Sequence, residues 1–137
     1  MSLMSQVYGI DTSVFVRLLT GHPRKDFEAN VQGIQRLLAL ESSAEIVVSN
    51  QVIGEAYIAL QHHYGISKMD ARAAMLLVFK AGSVSPLNGS VVIEILNEKK
   101  GCGLVDRLIS QDYAAAGAQV LTNDVKMSRL SNAERLK

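Results

Sequence analysis

Asp11, Glu55, Asp106 and Asp124 are the side chains whose types and placement could do chemistry. Asp11 follows the apolar run Val7-Tyr8-Gly9-Ile10, and Asp124 follows the run that ends at Val120-Leu121-Thr122. Glu55 stands one turn into a segment with helical spacing, and Asp106 stands in the first turn of an alanine-rich one. Open parallel sheets present functional groups at the carboxyl ends of their strands, which is where such acids could meet. Carboxylates brought within ~4–6 Å of one another raise one or more of their pKa values strongly. A hard divalent cation removes that repulsion. Mg²⁺ takes oxygen ligands, keeps several waters and tends to bind through one or two carboxylates. Such an ion activates water and stabilises charge at phosphorus. Gathered acids of this kind would suit hydrolysis of a phosphodiester.

The elements that must carry these acids can be read from the same sequence. Val7–Ile10 predicts a strand, and Asp11-Thr12-Ser13 offers N-cap chemistry for a helix over Val14–Leu19, stopped by Thr20-Gly21-His22-Pro23. Phe27, Val31, Ile34, Leu37, Leu38 and Leu40 recur near helical spacing and predict a helix over 24–41. Ile46-Val47-Val48 is β-branched and reads as a buried strand. Ser49-Asn50 caps a helix over 51–64 that Gly65 closes. On that helix Val52, Ile53, Ala56, Tyr57, Ala59, Leu60, His63 and Tyr64 share one apolar arc at about 100° per residue. Glu55 falls at the edge of the arc, which predicts a half-buried carboxylate beside a crevice.

Ser67 or Lys68 opens the next helix, which runs to about Lys80. Ser83–Leu87 is a marginal strand that Pro86 assigns to a strand end or a sheet edge. A short helix over 91–99, ending in Lys99-Lys100, precedes the link Gly101-Cys102-Gly103. A helix over 104–116, a last strand over Ala118–Thr122 and a short helix after Asp124 complete the chain. Strands alternating with helices predict an α/β fold, a three-layer α/β/α sandwich on a short central parallel sheet. Residues 1–3 read as a cloning remnant, which leaves a single domain over 4–137.

Four ordered motifs give the chain a resemblance to the PIN-domain ribonucleases, and among them to the VapC-type toxins of toxin–antitoxin pairs. The family's opening motif is similar to Gly9-Ile10-Asp11-Thr12-Ser13-Val14-Phe15-Val16-Arg17-Leu18-Leu19. Its second acid resembles Val52-Ile53-Gly54-Glu55, its third Gly103-Leu104-Val105-Asp106-Arg107-Leu108-Ile109, and its last Val120-Leu121-Thr122-Asn123-Asp124. The resemblance runs over roughly residues 6–130. It implies an endoribonuclease dependent on Mg²⁺ or Mn²⁺, an RNA substrate, a homodimer, and an antitoxin protein that plugs the acidic groove. It implies Asp11, Glu55, Asp106 and Asp124 as the acidic site, with Asp11 and Asp106 in direct contact with metal. Glu55 and Asp124 would then hold waters or a second ion. Thr12, Ser13 and Thr122 would orient the carboxylates or a phosphate through hydrogen bonds. Asn123, at a position that varies in the family, would support them.

Plainer roles stand beside these. Asp11 can cap its helix, a role compatible with metal ligation. Asp106 can answer the helix dipole, and Asp124 can belong to a turn. Arg107, Lys126 and Arg129 flank the acids and could touch a phosphate backbone or simply face solvent. His62 and His63 are adjacent on a helix and point about 100° apart, so they are not expected to share a metal. His63 reads instead as a core or dimer-face residue. Cys102 has no helper His or Asp in sequence and reads as inert. Met75-Leu76-Leu77-Val78-Phe79 reads as core or oligomer interface.

Composition narrows the classes. Of 137 residues, 48% are hydrophobic and 20% charged, the balance of a globular chain rather than a disordered one. A net charge of +1 excludes a strongly basic coating for duplex DNA. Aromatic residues make up 5% with no Trp, which leaves little for base-stacking platforms. That favours an enzyme over a pure RNA-binding module. The alternative is a non-catalytic PIN-like interaction module that binds RNA or a partner protein. The single Cys cannot form an internal disulfide and no secretory leader opens the chain, so a cytoplasmic location is expected. No apolar run approaches the ~20 residues that span a bilayer, so no membrane partner is expected. A receiver domain would need clustered acids before its first helix and a late Lys at a strand end. A haloacid-dehalogenase-type phosphatase would need a second Asp where Ser13 stands. A P-loop nucleotidase would need a Gly-rich loop ending in Lys-Ser or Lys-Thr, which this sequence lacks.

Overall fold

The computed structural model describes residues 6–136, so the remnant expected over residues 1–3 lies outside the described residues. β1 (Val7–Gly9) and β2 (Glu45–Val48) pair in parallel with Tyr8 opposite Ile46. β3 (Ser85–Pro86) adds in parallel on the other side of β2, with Val48 opposite Pro86. β2 is therefore the central strand, and Ile46, Val47 and Val48 are all buried, as a strand covered on both faces requires. Pro86 has no N–H to give and sits on the edge strand, as expected.

The chain divides into two compact units at Leu87/Asn88. The first holds this sheet together with α1 (Thr12–Thr20), α2 (Arg24–Leu40), α3 (Asn50–Tyr64) and α4 (Lys68–Ala81). The predicted caps are in place. The Ser49 hydroxyl oxygen accepts the Val52 N–H at 3.2 Å, and that of Ser67 accepts the Asp70 N–H at 3.1 Å. Gly65 ends α3 at φ 62°, a left-handed conformation that costs glycine little. Phe15, Ile53, Leu60 and Met75 are fully buried, and Phe15 stacks on Phe79 with centroids 5.7 Å apart. The Arg72 guanidinium lies 5.9 Å over the Tyr57 ring, joining α4 to α3. The apolar run on α4 divides by face: Met75 and Phe79 are buried, while Leu77 is 69% exposed. α2 contributes no fully buried residue, so it covers the unit rather than filling it.

The second unit holds α5 (Ser90–Asn97), α6 (Leu104–Ala115), β4 (Val120–Thr122) and β5 (Ala133–Arg135). β4 and β5 pair in parallel, with Leu121 opposite Glu134. β5 corrects the expectation that β4 is the last strand. Ala133-Glu134-Arg135 has neither β-branched residues nor an apolar alternation to announce it. It is held by backbone bonds, Val120 N–H to the Asn132 carbonyl at 2.7 Å and Leu136 N–H to the Thr122 carbonyl at 2.8 Å. The helix expected after Asp124 is a single 3₁₀ turn, Met127–Arg129. α5 stops at Asn97, so Lys99 and Lys100 lie past the helix rather than in its last turn.

Two asparagines tie this unit together. The Asn132 side-chain amide donates to the Ser110 carbonyl at 2.9 Å and its Oδ1 accepts the Ser110 hydroxyl at 2.5 Å. The Asn88 amide donates to Gln111 Oε1 at 2.7 Å and to Asp112 Oδ1 at 2.9 Å. The α/β class and the short parallel sheet are those the sequence predicts, with six α-helices among the described residues. No described helix is long and apolar enough to cross a membrane.

Candidate functional site

In the first unit the sheet delivers its acids where strands end. The ladder continues past β1 through Ile10 N–H to the Val47 carbonyl at 3.1 Å, and Asp11 follows at once as the N-cap of α1. Its Oδ1 accepts the Val14 N–H at 3.0 Å and the Ser13 hydroxyl at 2.7 Å. The capping role and the carboxylate's availability are compatible, because Asp11 remains exposed. These bonds, the Val14 N–H first and the Ser13 hydroxyl second, hold the Asp11 carboxyl below the usual carboxylate range.

A carboxyl whose folded pKa is depressed adds stability above its unfolded value of about 3.9 and loses it as the pH falls through the folded value. We expect a titration of the Asp11 side-chain carboxyl by NMR to give a midpoint below about 3.9. A midpoint above it would mean that the Val14 and Ser13 bonds do not hold the charged form in solution.

Glu55 comes to the same place from the next strand. β2 ends, Ser49 caps α3, and Glu55 meets the residue after Asp11: the Thr12 hydroxyl donates to Glu55 Oε1 at 2.5 Å. Gln51, one turn earlier on α3, donates its amide to Glu55 Oε2 at 3.4 Å. Gln51 is a contributor that the sequence reading passed over, and its i,i+4 spacing to Glu55 was the available signal. Glu55 is exposed rather than half-buried, which corrects the helical-wheel expectation. Its helix buries Ile53, Gly54, Ala56 and Tyr57 on either side of it in sequence, but the Glu55 side chain turns outward toward Thr12 and Gln51.

Beside this pair Thr12, Ser13, Arg17, His22, His63 and Tyr64 line a cavity of about 390 Å³. His63 is thus an exposed cavity residue, not a core one, and His62 is exposed as well. Arg17 is 3.8 Å from Asp26 and adds to the positive field at Asp11.

In the second unit Asp106 occupies the first turn of α6 and is partly buried. Asp124 follows β4, and its Oδ1 accepts the Met127 N–H at 2.7 Å, while its own N–H donates to the Thr122 hydroxyl at 3.0 Å. Thr122 therefore shapes the Asp124 turn. Asn123 is exposed beside it. Both Asp106 and Asp124 act on the buried thiol of Cys102, which is pushed up by burial first, lowered by the Arg107 charge and raised again by the two aspartates. A thiol held in that way stays protonated near neutrality, in keeping with the inert reading. Arg107, Lys126 and Arg129 line one cavity of about 340 Å³ together with Gly101, Cys102 and Leu130.

The donor set suits a hard cation. Every candidate ligand is a carboxylate oxygen, and Asp11 is biased toward its charged form. Among the described residues no three His, Cys, Asp or Glu side chains group closely enough to enclose an ion by themselves. A small cation that retains most of its waters needs only one or two carboxylates, so the donor chemistry of Asp11 and Glu55 suits such an ion.

Comparison with protein families matches residues 8–133 to the PIN domain. No match was found among curated proteins. Among solved structures, a chain of the crystal structure of VapBC2 from Rickettsia felis bound to a DNA fragment from their promoter is similar to this one. The two share 20% sequence identity over 96% of this chain and 98% of that chain, with a TM-score of 0.38.

Proposed function

Since the chain belongs to the PIN-domain family, we propose that it is a metal-dependent endoribonuclease that hydrolyses RNA phosphodiester bonds, acting as the toxin of a toxin–antitoxin pair. The observation that carries this reading is the pair of oriented carboxylates, Asp11 just after β1 and Glu55 on the helix that follows β2. Asp11 is fixed by Val14 and Ser13, and Glu55 by Thr12 and Gln51. Asp106 and Asp124 complete the acidic site in this reading. Asp11 and Asp106 would hold Mg²⁺ or Mn²⁺ directly, with Glu55 and Asp124 reaching waters or a second ion. When bound, such an ion supplies Lewis acidity toward water and the phosphoryl oxygens.

The chain's own contribution is orientation and charge. The Val14 N–H and the Ser13 hydroxyl keep Asp11 ionised and aimed. The Thr12 hydroxyl sets the rotation of the Glu55 carboxylate. Thr122 fixes the turn that presents Asp124 and Asn123. The family match runs through both compact units, so we count residues 4–137 as one domain in the family's sense. The toxin reading rests on the four sequence motifs. It brings with it a homodimer, a cognate antitoxin and action in the cytoplasm.

The direct test incubates the purified chain with a circular RNA, which only an endonuclease can open. Cleavage should need Mg²⁺ or Mn²⁺, stop in chelator and return when metal is restored. Cleavage that continues in excess chelator overturns the reading.

Thr12 offers a finer test. Thr12→Val keeps the side-chain shape and removes the hydroxyl that orients Glu55. Groups that orient metal ligands are worth roughly 10–100-fold in activity or metal affinity. We expect a loss of that size in kcat with an unchanged thermal midpoint, and Thr12→Ser should restore most of it. Full activity in the Val variant would show that the bond to Glu55 plays no part.

A further inference from the structure

Three cations of the second unit face one cavity. Arg107, Lys126 and Arg129 share its wall with Gly101, Cys102 and Leu130, and its volume is about 340 Å³. That is the low end for ligand pockets, which run roughly 300–1,000 Å³. Among the described residues none of the three cations has a carboxylate within ion-pair distance. Like charges that share one wall repel one another, and an anion entering the cavity would relieve that repulsion.

Arg107 is built into the wall rather than waving from it. Its Nε donates to the Cys102 carbonyl at 3.2 Å and its Nη2 to the Lys100 carbonyl. Two of a guanidinium's five donors are thereby used on backbone, and the rest remain for a ligand. The rotamer freedom of the side chain is already restricted before any ligand arrives, which lowers the entropic cost of binding. Gly101 makes this possible. Its φ is +88°, and a Cβ there would stand 3.0 Å from Arg107 Nη2. Lys126 and Arg129 approach from the turn after β4, and both are exposed. Asp106 precedes Arg107 on α6, and Asp124 precedes Lys126 by two residues. Neither aspartate lines the cavity, but both, like Arg107, act on Cys102 in its wall.

We propose that Arg107, Lys126 and Arg129 form a phosphate pocket that grips a backbone phosphate of single-stranded RNA beside the phosphodiester to be cut. This rests on the nuclease reading for the identity of the ligand, and it adds a substrate-binding subsite to it. Arg suits the task because its planar fork matches a phosphate, and the fixed Arg107 fork adds register to charge. Contacts of this kind position the strand and read no sequence.

The test measures binding without cleavage. The full chain in chelator is titrated with a fluorescent single-stranded RNA of mixed sequence, read by anisotropy across a salt series. The variant Lys126→Gln/Arg129→Gln alters two exposed side chains and leaves the Arg107 clamp intact. Each phosphate contact on a single strand contributes about 0.7 to the salt slope, so the double variant should bind more weakly with a slope shallower by about 1.4. The wild-type advantage then shrinks roughly sevenfold between 50 and 200 mM salt. A control, Lys25→Gln/Arg36→Gln, removes two exposed cations of α2 and should leave the slope unchanged.

An unchanged slope in the first variant overturns the proposal, and so does an equal change in both variants. Preference for a glutamate-rich peptide over RNA, lost in the first variant, would assign the pocket to an acidic protein partner and overturn it too. The binding readout needs no hydrolysis. A chain that binds RNA through the pocket yet never cuts it would fail the nuclease reading and leave the phosphate pocket standing.

Discussion

Asp11→Asn is expected to stop RNA cleavage while leaving the fold in place. The substitution separates the capping role of the residue from the metal-binding role proposed for it. As N-cap of α1, Asp11 accepts the Val14 N–H through Oδ1, and the amide oxygen of Asn can accept the same bond. Asn and Asp rank together as N-caps, so the cap survives the change. The negative charge does not survive it. A metal ion acting on a phosphoryl group supplies several kcal/mol of charge stabilisation. At 1.36 kcal/mol per tenfold, losing about 3–4 kcal/mol lowers kcat by a few hundred- to a thousandfold. Expression of the wild-type chain should arrest growth and expression of Asp11→Asn should not. The thermal midpoint in chelator should shift by no more than the small change expected of an exposed substitution, within about 0.5 kcal/mol. Asp11→Ala supplies the contrast, losing activity and also about 1 kcal/mol of helix stability through the missing cap. If the Asn variant cuts RNA as fast as wild type, the acidic site proposed here is not where hydrolysis occurs.

The parts of this site that were legible in the sequence are those whose signal is local. Asp11, Ser49 and Ser67 announce helix starts by their own chemistry, and all three are N-caps in the structure. Ile46-Val47-Val48 announces a strand covered on both faces, and it is the middle strand of its sheet. What depends on partners far along the chain was not legible. The outward turn of Glu55 depends on Thr12, 43 residues away, so the helical wheel of α3 alone could not place it. β5 depends on backbone pairing and on the Asn132 link to Ser110, since Ala133-Glu134-Arg135 has no strand-like pattern. The cavity that gathers Arg107, Lys126 and Arg129 depends on the clamp of Arg107 by two backbone carbonyls. The sequence singled out these three cations one by one, by proximity to acids, and had no means of showing that they share a wall. The core alternative for His63 fails for a related reason, because an apolar arc near the end of α3 says nothing about where that arc runs out of core.

Phe15→Ala should be the most damaging single change to stability in the first unit, and its consequences reach the carboxylates. Phe15 has 0% exposure and stacks on Phe79, with ring planes 26° apart. Truncating a buried Phe to Ala costs about 3–5 kcal/mol, from lost transfer free energy and from the cavity left behind. Set against a total of roughly 5–15 kcal/mol for a native domain, that is enough to unfold a marginal one. The measurement is the urea midpoint by circular dichroism, which should fall sharply with little change in the denaturant slope. Leu77→Ala on α4 is the matched control, because Leu77 is 69% exposed and its loss should stay within about 0.5 kcal/mol. Phe15 is also the apolar anchor of the helix that begins at Thr12, three residues along from the hydroxyl that holds Glu55. A folded fraction of the variant, assayed at low temperature, should therefore show weakened cleavage beyond what its population explains. An activity that tracks the folded population alone would mean that α1 keeps Asp11 and Thr12 in register without its anchor, through the Ile10 and Asp11 backbone bonds to Val47 and Phe15 by themselves.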